Sequence, residues 1–323
     1  MALNSLNIMD GLCQTIGRTP LIPLKQLFSD APYQVYAKLE MMNPGGSAKD
    51  RPALNIVREA IRTGEIDHDT TVIESSSGNM AVSLAQICRY LGLRFVCVVD
   101  PRTTDTHLKL IRSLHGEIEM VTEPDPGSGD YLPARIARVK KLQQEIKSCY
   151  WTNQYSNPNN YLAHYHSTMP EILEVLPHID YLFCGVSSCG TVRGCAERLK
   201  LNNLPTQIIA VDAVGSVIFG GVKGVRQFPG LGAALPPPIN RTELVDRVIE
   251  VSERQCIEGC LELVQSEAIM AGASSGGVIA AIRAMQDEIP AGAICVAILP
   301  DRGERYLDTV YNEEWVRQHV GSE

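Results

Sequence analysis

Short apolar runs without in–out alternation recur along the whole chain, and this feature restricts the possible folds more than any other. The runs are rich in valine, isoleucine and cysteine, and we predict strands at 35–39, 71–74, 94–99, 117–121, 181–186, 207–212 and 293–299. Strands of this kind are usually buried on both faces, as in parallel sheets. Helix-like segments separate the runs, and such alternation of strand and helix predicts an α/β fold.

Length and charge narrow the classes of protein further. A chain of 323 residues is too long for most single hydrophobic cores, so we expect two lobes. Hydrophobic residues make up 45% and charged residues 20%, which excludes disordered and fibrous proteins. The formal net charge of −8 excludes a broad basic surface for nucleic acid. An anionic ligand must therefore be bound by local donors, such as helix N-termini, backbone amides or single arginines.

The ten cysteines include no Cys-x-x-Cys pair, so the sequence predicts no metal site. Cys256 and Cys260 could share one helix face, and we expect them to be buried, inert thiols. Unpaired cysteines suit a reducing compartment. Residues 1–10 lack a basic segment followed by an apolar run, and no apolar run approaches the length of a membrane span. We therefore expect a cytoplasmic protein without a membrane or nucleic-acid partner.

The first of three informative loops spans 43–52 and reads Asn-Pro-Gly-Gly-Ser-Ala-Lys-Asp-Arg-Pro. Its glycines give the backbone freedom, and Pro52 suits the first turn of a helix that starts just after Lys49. A lysine that reacts covalently needs a lowered pKa, which burial or a nearby positive helix end supplies. For a lone lysine, a solvated side chain near a helix start is the commoner explanation.

The other two loops, 74–79 and 185–194, each follow a predicted strand and open a predicted helix. The first reads Glu-Ser-Ser-Ser-Gly-Asn, and the second reads Gly-Val-Ser-Ser-Cys-Gly-Thr-Val-Arg-Gly. Hydroxyls, glycines and free N–H groups at a helix start can cradle an anion, although ordinary helix capping explains each loop as well. Ligands of open α/β sheets bind beyond the carboxyl ends of the strands, where these loops would lie.

Together and in this order, the three loops resemble those of the fold-type II pyridoxal-phosphate (PLP) enzymes. Cysteine synthase, cystathionine β-synthase and the tryptophan synthase β-chain belong to that class. The resemblance covers nearly the whole chain and extends to the motifs at 16–21, 153–160, 271–276 and 299–306. It implies PLP as cofactor and a tryptophan synthase β-like fold, with two open parallel-sheet α/β domains and the cofactor in the cleft between them. It also implies a large domain at 1–45 and 154–323, a small mobile domain at 46–153, and a homodimer.

The resemblance assigns three residues to the reactive part of the cofactor. Lys49 would form the Schiff base with PLP and move the Cα proton of the substrate. Asn79 would bond to the 3′ oxygen of the cofactor. Ser274 would face the pyridine nitrogen, and this neutral partner makes the ring a weaker electron sink, which favours β-elimination over transamination or racemisation. Ser274 could also serve as the N-cap of the next helix.

The resemblance also assigns two sets of binding residues. The residues implied to hold the cofactor phosphate are Ser187, Ser188, Cys189, Gly190 and Thr191. The residues implied to hold the substrate carboxylate are Ser76, Ser77, Gly78 and Gln154. The usual family loop has Thr and Gly where Ser188 and Cys189 stand, but backbone donors survive both changes.

Motifs at 49–53, 97–101, 211–220 and 301–308 look like one branch of the family, the N-(2-amino-2-carboxyethyl)-L-glutamate synthases. This likeness implies transfer from O-phospho-L-serine to L-glutamate through an aminoacrylate intermediate, the first step of 2,3-diaminopropionate synthesis for siderophores and peptide antibiotics. A glutamate acceptor carries two carboxylates, so we expect cationic or polar donors, and similarity to the branch suggests Arg135 and Tyr155. A solvated basic helix face at 135–141 explains Arg135 equally well.

Two other functions stay open at this point. A cysteine synthase that uses sulfide with O-acetyl-L-serine or O-phospho-L-serine would need the same core residues. A non-catalytic regulatory relative is a further alternative, although the presence of Lys49, Asn79 and Ser274 argues against it. A purified protein that stays colourless after addition of PLP would support that last alternative.

Overall fold

The computed structural model describes residues 10–320, and these form two compact units. The first unit contains residues 10–16 and Lys49–Asn160, and the second contains Gly17–Ala48 and residues 161–320. The sequence prediction had placed 10–16 in the large domain. Cys13 instead lies in the hydrophobic core of the first unit, which is why this segment belongs there. The sequence argument that residues 1–10 lack a basic segment followed by an apolar run concerns a segment of which residues 1–9 lie outside the described part of the chain.

Residues 10–320 form ten strands and ten α-helices. The strands are β1 (Leu21–Pro23), β2 (Gln34–Leu39), β3 (Thr71–Ser75), β4 (Arg94–Val99), β5 (Glu117–Met120), β6 (Cys149–Trp151), β7 (Tyr181–Gly185), β8 (Gln207–Ala213), β9 (Arg247–Val251) and β10 (Ile294–Leu299). The helices are α1 (Asp50–Thr63), α2 (Asn79–Leu91), α3 (Asp105–Ser113), α4 (Tyr131–Glu145), α5 (Pro158–Ala163), α6 (Met169–Val175), α7 (Gly190–Leu201), α8 (Glu253–Glu267), α9 (Ala273–Ala284) and α10 (Glu313–His319).

The sheet of the first unit has four parallel strands in the order β5-β4-β3-β6. Every residue of β3 is buried, and so are the last five residues of β4. Helices therefore cover both faces of these strands, which explains their unbroken apolar sequences. Strand β6 was not predicted, because its three residues are too few and only half-buried.

The sheet of the second unit has six strands in the order β1-β2-β10-β7-β8-β9, and only β1 runs antiparallel to its neighbour. Alternate residues of β7 enter different cores. Phe183 packs with one hydrophobic cluster, whereas Leu182 and Cys184 pack with another. Both faces are therefore dry, and the predicted α/β fold with parallel-sheet domains is confirmed.

No helix within residues 10–320 has both the length and the apolarity needed to cross a membrane. The longest, α4 and α8, have 15 residues each, fewer than a membrane-spanning helix requires.

Two glycines allow α8 and α9 to approach each other closely. A Cβ atom at Gly276 would lie 1.8 Å from the carbonyl oxygen of Cys256, and one at Gly259 would lie 2.2 Å from the carbonyl oxygen of Gly276. No side chain larger than hydrogen fits at either contact without a shift of backbone. Because α9 carries Ser274, this contact also sets the position of a predicted site residue.

Replacement of Gly276 by alanine is therefore expected to destabilise the protein by about 3 kcal/mol or more, because the helices must separate. Thermal and urea unfolding measure the loss. The matched control is Ser275→Ala, since the buried Ser275 hydroxyl makes no hydrogen bond. Its removal should be neutral or slightly stabilising. Equal unfolding midpoints for Gly276→Ala and the wild type would contradict the argument from close packing.

Candidate active site

Lys49 lies directly before α1 in the first unit, and its carbonyl oxygen accepts the N–H of Ala53 at 3.0 Å. The next residue, Asp50, is buried, and its carboxylate accepts a hydrogen bond from the hydroxyl of Ser83 on α2. The same Ser83 oxygen lies 3.0 Å from the carbonyl oxygen of Asn79. One hydroxyl therefore joins the start of the Lys49 helix to the start of the Asn79 helix.

The Ser-Gly-Asn loop follows β3 and ends at Asn79, the first residue of α2. Ser76 is buried, whereas Ser77, Gly78 and Asn79 are half-buried. Contrary to the alternative of ordinary capping, no side chain caps the start of α2. The positive end of this helix therefore faces the loop and can attract a carboxylate.

A buried thiol on β4 is hydrogen-bonded to the backbone of the Ser-Gly-Asn loop. The Sγ of Cys97 lies 3.2 Å from the carbonyl oxygen of Ser76 and donates to it. Burial, together with the nearby Glu74 carboxylate, raises the pKa of Cys97 to about 12. Cys97 therefore stays a neutral thiol at physiological pH and keeps its proton for this hydrogen bond.

Glu74 brings Gln154 to the same loop. Its carboxylate is buried and accepts the backbone N–H of Ser75 at 2.7 Å and that of Gln154 at 3.1 Å. It also accepts the hydroxyl of Thr152. Burial raises the pKa of the Glu74 carboxyl, and these three hydrogen bonds act in the opposite direction. Glu74 therefore ties Gln154 to Ser75, the residue that directly precedes the predicted carboxylate loop at 76–78.

Arg135 is buried on α4 and does not belong to a solvated basic face. Its Nε lies 3.3 Å from a carboxylate oxygen of Asp100, which is also buried, but Nε and one terminal nitrogen make no hydrogen bond. Arg138 on the same helix instead pairs with Glu119 and Glu145 at the surface. In the basic run at 135–141, Arg135 is therefore buried, whereas Arg138 belongs to the surface of α4.

Tyr155, the other predicted acceptor residue, follows Gln154 in a turn before α5 and is half-buried. Its pairing with Arg135 in acceptor binding stays a prediction.

The predicted phosphate turn of the second unit links β7 to α7. Cys189 is the N-cap of α7 and has φ of +63°, a left-handed conformation that glycine adopts more readily. No side chain caps this helix, and residues 187–191 contain no acidic side chain. The turn therefore offers backbone N–H groups, hydroxyls and a positive helix end to an anion.

A buried histidine holds the last hydroxyl of this turn. The Nε2 of His164 lies 3.2 Å from the Thr191 hydroxyl, and its Nδ1 lies 2.9 Å from the Thr168 hydroxyl. His164 begins a π-helical turn, a feature that often marks functional sites. A Cβ atom at Gly194 would lie 2.1 Å from the Tyr161 carbonyl oxygen, so this turn packs directly on α7.

Ser274 is the second residue of α9 and is buried. The N-cap of α9 is Gly272, so the alternative that Ser274 caps this helix is wrong. A Cβ atom at Gly185, the last residue of β7, would lie 3.7 Å from the Cβ of Ser274. The structure therefore brings Ser274 next to the strand that leads into the phosphate turn.

One segment, 300–305, supports both α9 and the loop before Lys49. The carbonyl oxygen of Pro300 accepts the N–H of Ala48 at 2.7 Å, and that of Asp301 accepts the N–H of Gly272 at 3.0 Å. The Asp301 carboxylate accepts the hydroxyl of buried Tyr306 at 2.7 Å. Within the second unit, this segment is therefore hydrogen-bonded both to Ala48, just before Lys49, and to Gly272, the N-cap of α9.

The remaining thiols give no second site. All ten cysteines are free, and nine of them are buried. Burial raises the pKa of Cys256 to about 12 and that of Cys260 further, which agrees with the predicted inert thiols. Among residues 10–320, no group of three or more His, Cys, Asp or Glu side chains could hold a metal ion.

The structure is that of an α/β protein in which turns rich in small and hydroxyl residues link the carboxyl ends of strands to helix N-termini. Similar solved structures include an O-acetylserine-dependent cystathionine β-synthase from Helicobacter pylori, with 29% identity, a TM-score of 0.86, and 93% of this chain and 98% of that chain covered. A hydrogen sulfide-producing enzyme from Fusobacterium nucleatum is 30% identical, with a TM-score of 0.86 and coverage of 92% and 99%. An O-ureido-L-serine synthase is 28% identical, with a TM-score of 0.85 and coverage of 97% and 96%.

The family of pyridoxal-phosphate dependent enzymes matches residues 12–301, and the chain belongs to this family. The predicted cofactor is therefore confirmed. The residues present also fit it. The turn before α7, whose N-cap side chain makes no capping hydrogen bond, would suit a phosphate dianion, Lys49 would supply an amine for an aldehyde, and Ser274 would supply a neutral hydroxyl for a ring nitrogen.

Thr191 is expected to donate its hydroxyl to the cofactor phosphate while His164 fixes its direction. Thr191→Val keeps the shape of the side chain, removes this donor and should weaken PLP affinity about tenfold. Thr191→Ser keeps the hydroxyl and serves as the control, with affinity close to that of the wild type. Fluorescence titration of the apoprotein with PLP gives the dissociation constants. Equal constants for the valine variant and the wild type would rule out this role.

Proposed function

We propose that the enzyme catalyses a β-replacement that joins O-phospho-L-serine and L-glutamate to give N-(2-amino-2-carboxyethyl)-L-glutamate and phosphate. The β-replacement chemistry is supported by the link through Ser83 that joins the helix after Lys49 to the Asn79 helix, and the choice of glutamate is supported by the burial of Arg135. PLP, when bound, supplies the electron sink that makes the Cα proton of an amino acid removable. The rest of the chemistry belongs to the side chains of this chain.

Lys49 would hold the cofactor through its amine, and with the substrate bound this amine would be free to act as a base. Lys49 then takes the Cα proton, and the bond between Cβ and the phosphate oxygen breaks, which releases phosphate. The neutral amine of glutamate forms a bond to Cβ and loses one proton to solvent, and Lys49 returns its own proton to Cα. Such an order gives ping-pong kinetics, with phosphate released before glutamate reacts.

The other proposed residues bind and orient. Asn79 bonds to the 3′ oxygen of the cofactor, and residues 187–191 hold its phosphate. Ser274, a neutral partner of the ring nitrogen, does not force that nitrogen to stay protonated, which favours loss of the β-substituent over transamination. Ser76, Ser77, Gly78 and Gln154 hold the carboxylate of the amino-acid substrate, and Glu74 joins the backbone of Gln154 to that of Ser75, just before this loop.

Arg135 supports glutamate as the acceptor. A buried guanidinium with two nitrogens outside any hydrogen bond retains donors for a carboxylate. Asp100 neutralises the charge in the resting protein at 3.3 Å, so the arginine can be buried without a bound ligand. Tyr155 is the second proposed acceptor residue.

A cysteine synthase that uses sulfide is the second candidate, and the comparisons favour it in one respect. Two of the similar structures are named for sulfur chemistry, a cystathionine β-synthase and a hydrogen sulfide-producing enzyme. Sulfide needs no cationic side chain to anchor a carboxylate, so in this candidate Arg135 would serve only as the partner of buried Asp100.

We also propose that the enzyme is a cytoplasmic homodimer that takes part in 2,3-diaminopropionate biosynthesis. The ten free cysteines support a reducing compartment. The dimer and the pathway rest on the resemblance to the glutamate-using branch.

Borohydride reduction of the PLP-loaded protein should attach the cofactor permanently to the peptide that contains Lys49. Lys49→Arg should lose this label because a guanidinium cannot form the same bond. Lys25→Arg, at an exposed position of the second unit, is the control and should keep it. Peptide mapping by mass spectrometry locates the label, and a label on any other lysine would contradict the proposal.

With O-phospho-L-serine alone the enzyme should release about one phosphate per active site before turnover stalls, and glutamate should then restart it. Mass spectrometry identifies the product and shows whether glutamate or sulfide is consumed. Arg135→Gln should raise the KM for glutamate about tenfold through loss of a charge-assisted hydrogen bond, while the first phosphate release remains.

Arg138→Gln on the same helix is the matched control and should leave the KM for glutamate unchanged. Where Arg135→Gln does not fold, Arg135→Lys keeps the charge opposite Asp100 but loses the planar donor set, and it should show the same rise in KM. Preferential use of sulfide would decide for the cysteine synthase.

A further inference from the structure

His107 is a buried histidine of the first unit, and its ring lies against Asn79. It stands on α3 with 2% of its surface exposed. Its Nε2 lies 3.4 Å from the side-chain oxygen Oδ1 of Asn79. No part of the sequence pattern singled out this residue, because it is separated from Asn79 by 28 positions.

The hydroxyl of Thr104 lies against the other ring nitrogen of His107. Thr104 caps α3, and its oxygen accepts the backbone N–H of His107 at 3.4 Å. The same oxygen lies 2.6 Å from Nδ1 of His107. The hydroxyl can donate its own proton to Nδ1 while it accepts from the backbone. In the tautomer that this arrangement allows, Nδ1 is the acceptor and the ring hydrogen lies on Nε2, and the inference below uses this tautomer.

We propose that His107 is a positioning residue that sets which end of the Asn79 amide faces the cofactor. The Nε2–H of His107 donates to Oδ1 of Asn79, and this turns the NH2 group of the amide away from the histidine. The inference rests on the proposed role of Asn79 at the 3′ oxygen of PLP. It adds a chain of three hydrogen-bonding groups, from Thr104 through His107 to Asn79. This chain determines whether the Asn79 amide acts as donor or as acceptor toward that oxygen.

The polarity matters because the two ends of an amide act oppositely on an oxygen. An NH2 group donates to the 3′ oxygen and stabilises its anionic form, whereas an amide oxygen in the same place would repel it. An asparagine alone can present either end, since its O and N atoms have nearly the same shape. A fixed donor on the protein side removes this choice, so the bound cofactor keeps one protonation state.

The visible absorption spectrum of the bound cofactor reports this state directly. The ionised and protonated forms of the 3′ oxygen give separate long- and short-wavelength bands, whose ratio is measured on the resting holoenzyme. His107→Met removes the donor and should lower the ratio of the long- to the short-wavelength band about fivefold. His107→Gln places an amide N–H at the position of Nε2 and should largely restore the wild-type ratio.

Thr104→Val tests the same chain without loss of the imidazole. Without the hydroxyl, the ring hydrogen can move to Nδ1, and Nε2 then becomes an acceptor that favours the opposite amide orientation. The band ratio should fall as in His107→Met, while Thr104→Ser should retain it. If His107→Met does not fold, the comparison of Thr104→Val with Thr104→Ser provides the test instead. His68→Gln, at an exposed position of the same unit, is the matched control for a histidine-to-glutamine change.

Asn79→Leu separates failure of this inference from failure of the proposed function. If Asn79→Leu leaves the spectrum unchanged, Asn79 does not contact the 3′ oxygen, and that part of the proposed function is wrong. If Asn79→Leu changes the spectrum but folded His107→Met and Thr104→Val do not, the proposed role of His107 is overturned. A change in all three, with rescue by His107→Gln, supports the whole chain of contacts.

Discussion

Burial of both faces of the central strands is the constraint on which the rest of the structure depends. Strand β3 has no exposed residue, and alternate side chains of β7 enter two separate hydrophobic cores. A polar side chain along such a strand needs a hydrogen-bond partner in a dry core, and in β3 the charged one, Glu74, stands next to the carboxyl end of the strand. Chemistry is therefore confined to the strand ends, where short loops of small and hydroxyl residues lead into helices.

These loops are small and flexible by composition, and buried polar side chains give them a defined shape. Glu74 anchors the backbone of Ser75 and Gln154, and His164 orients Thr191. The cost of this arrangement is visible in Glu74, where burial raises the pKa of the carboxyl despite three hydrogen bonds that lower it. Such a group is retained because its partners are satisfied only in one geometry, which transfers that geometry to the loop.

The sequence predicts seven of the ten strands within residues 10–320 and the loops that follow them, because both depend on local composition; the strands it misses, β1, β6 and β9, have only three to five residues each. It does not predict the supporting contacts, since each joins distant positions: 80 residues separate Glu74 from Gln154, and 27 separate His164 from Thr191. The basic run at 135–141 shows the same limit. Charge alone predicts a solvated face, and only the packing of α4 on the sheet shows that Arg135 lies inside.

The position of Arg135 bears on how related enzymes can differ in the acceptor they use. In the function proposed here, Lys49, the turn at 187–191 and the loop at 76–78 would activate the amino-acid donor in the same way whatever attacks it, so these parts carry little information about the nucleophile. A hydrogen-bonding site rejects a ligand that leaves its buried donors unpaired. Under that proposal, a buried arginine with donors outside any hydrogen bond favours an acceptor with carboxylates over sulfide, and a change of acceptor needs no change to the residues proposed to handle the cofactor.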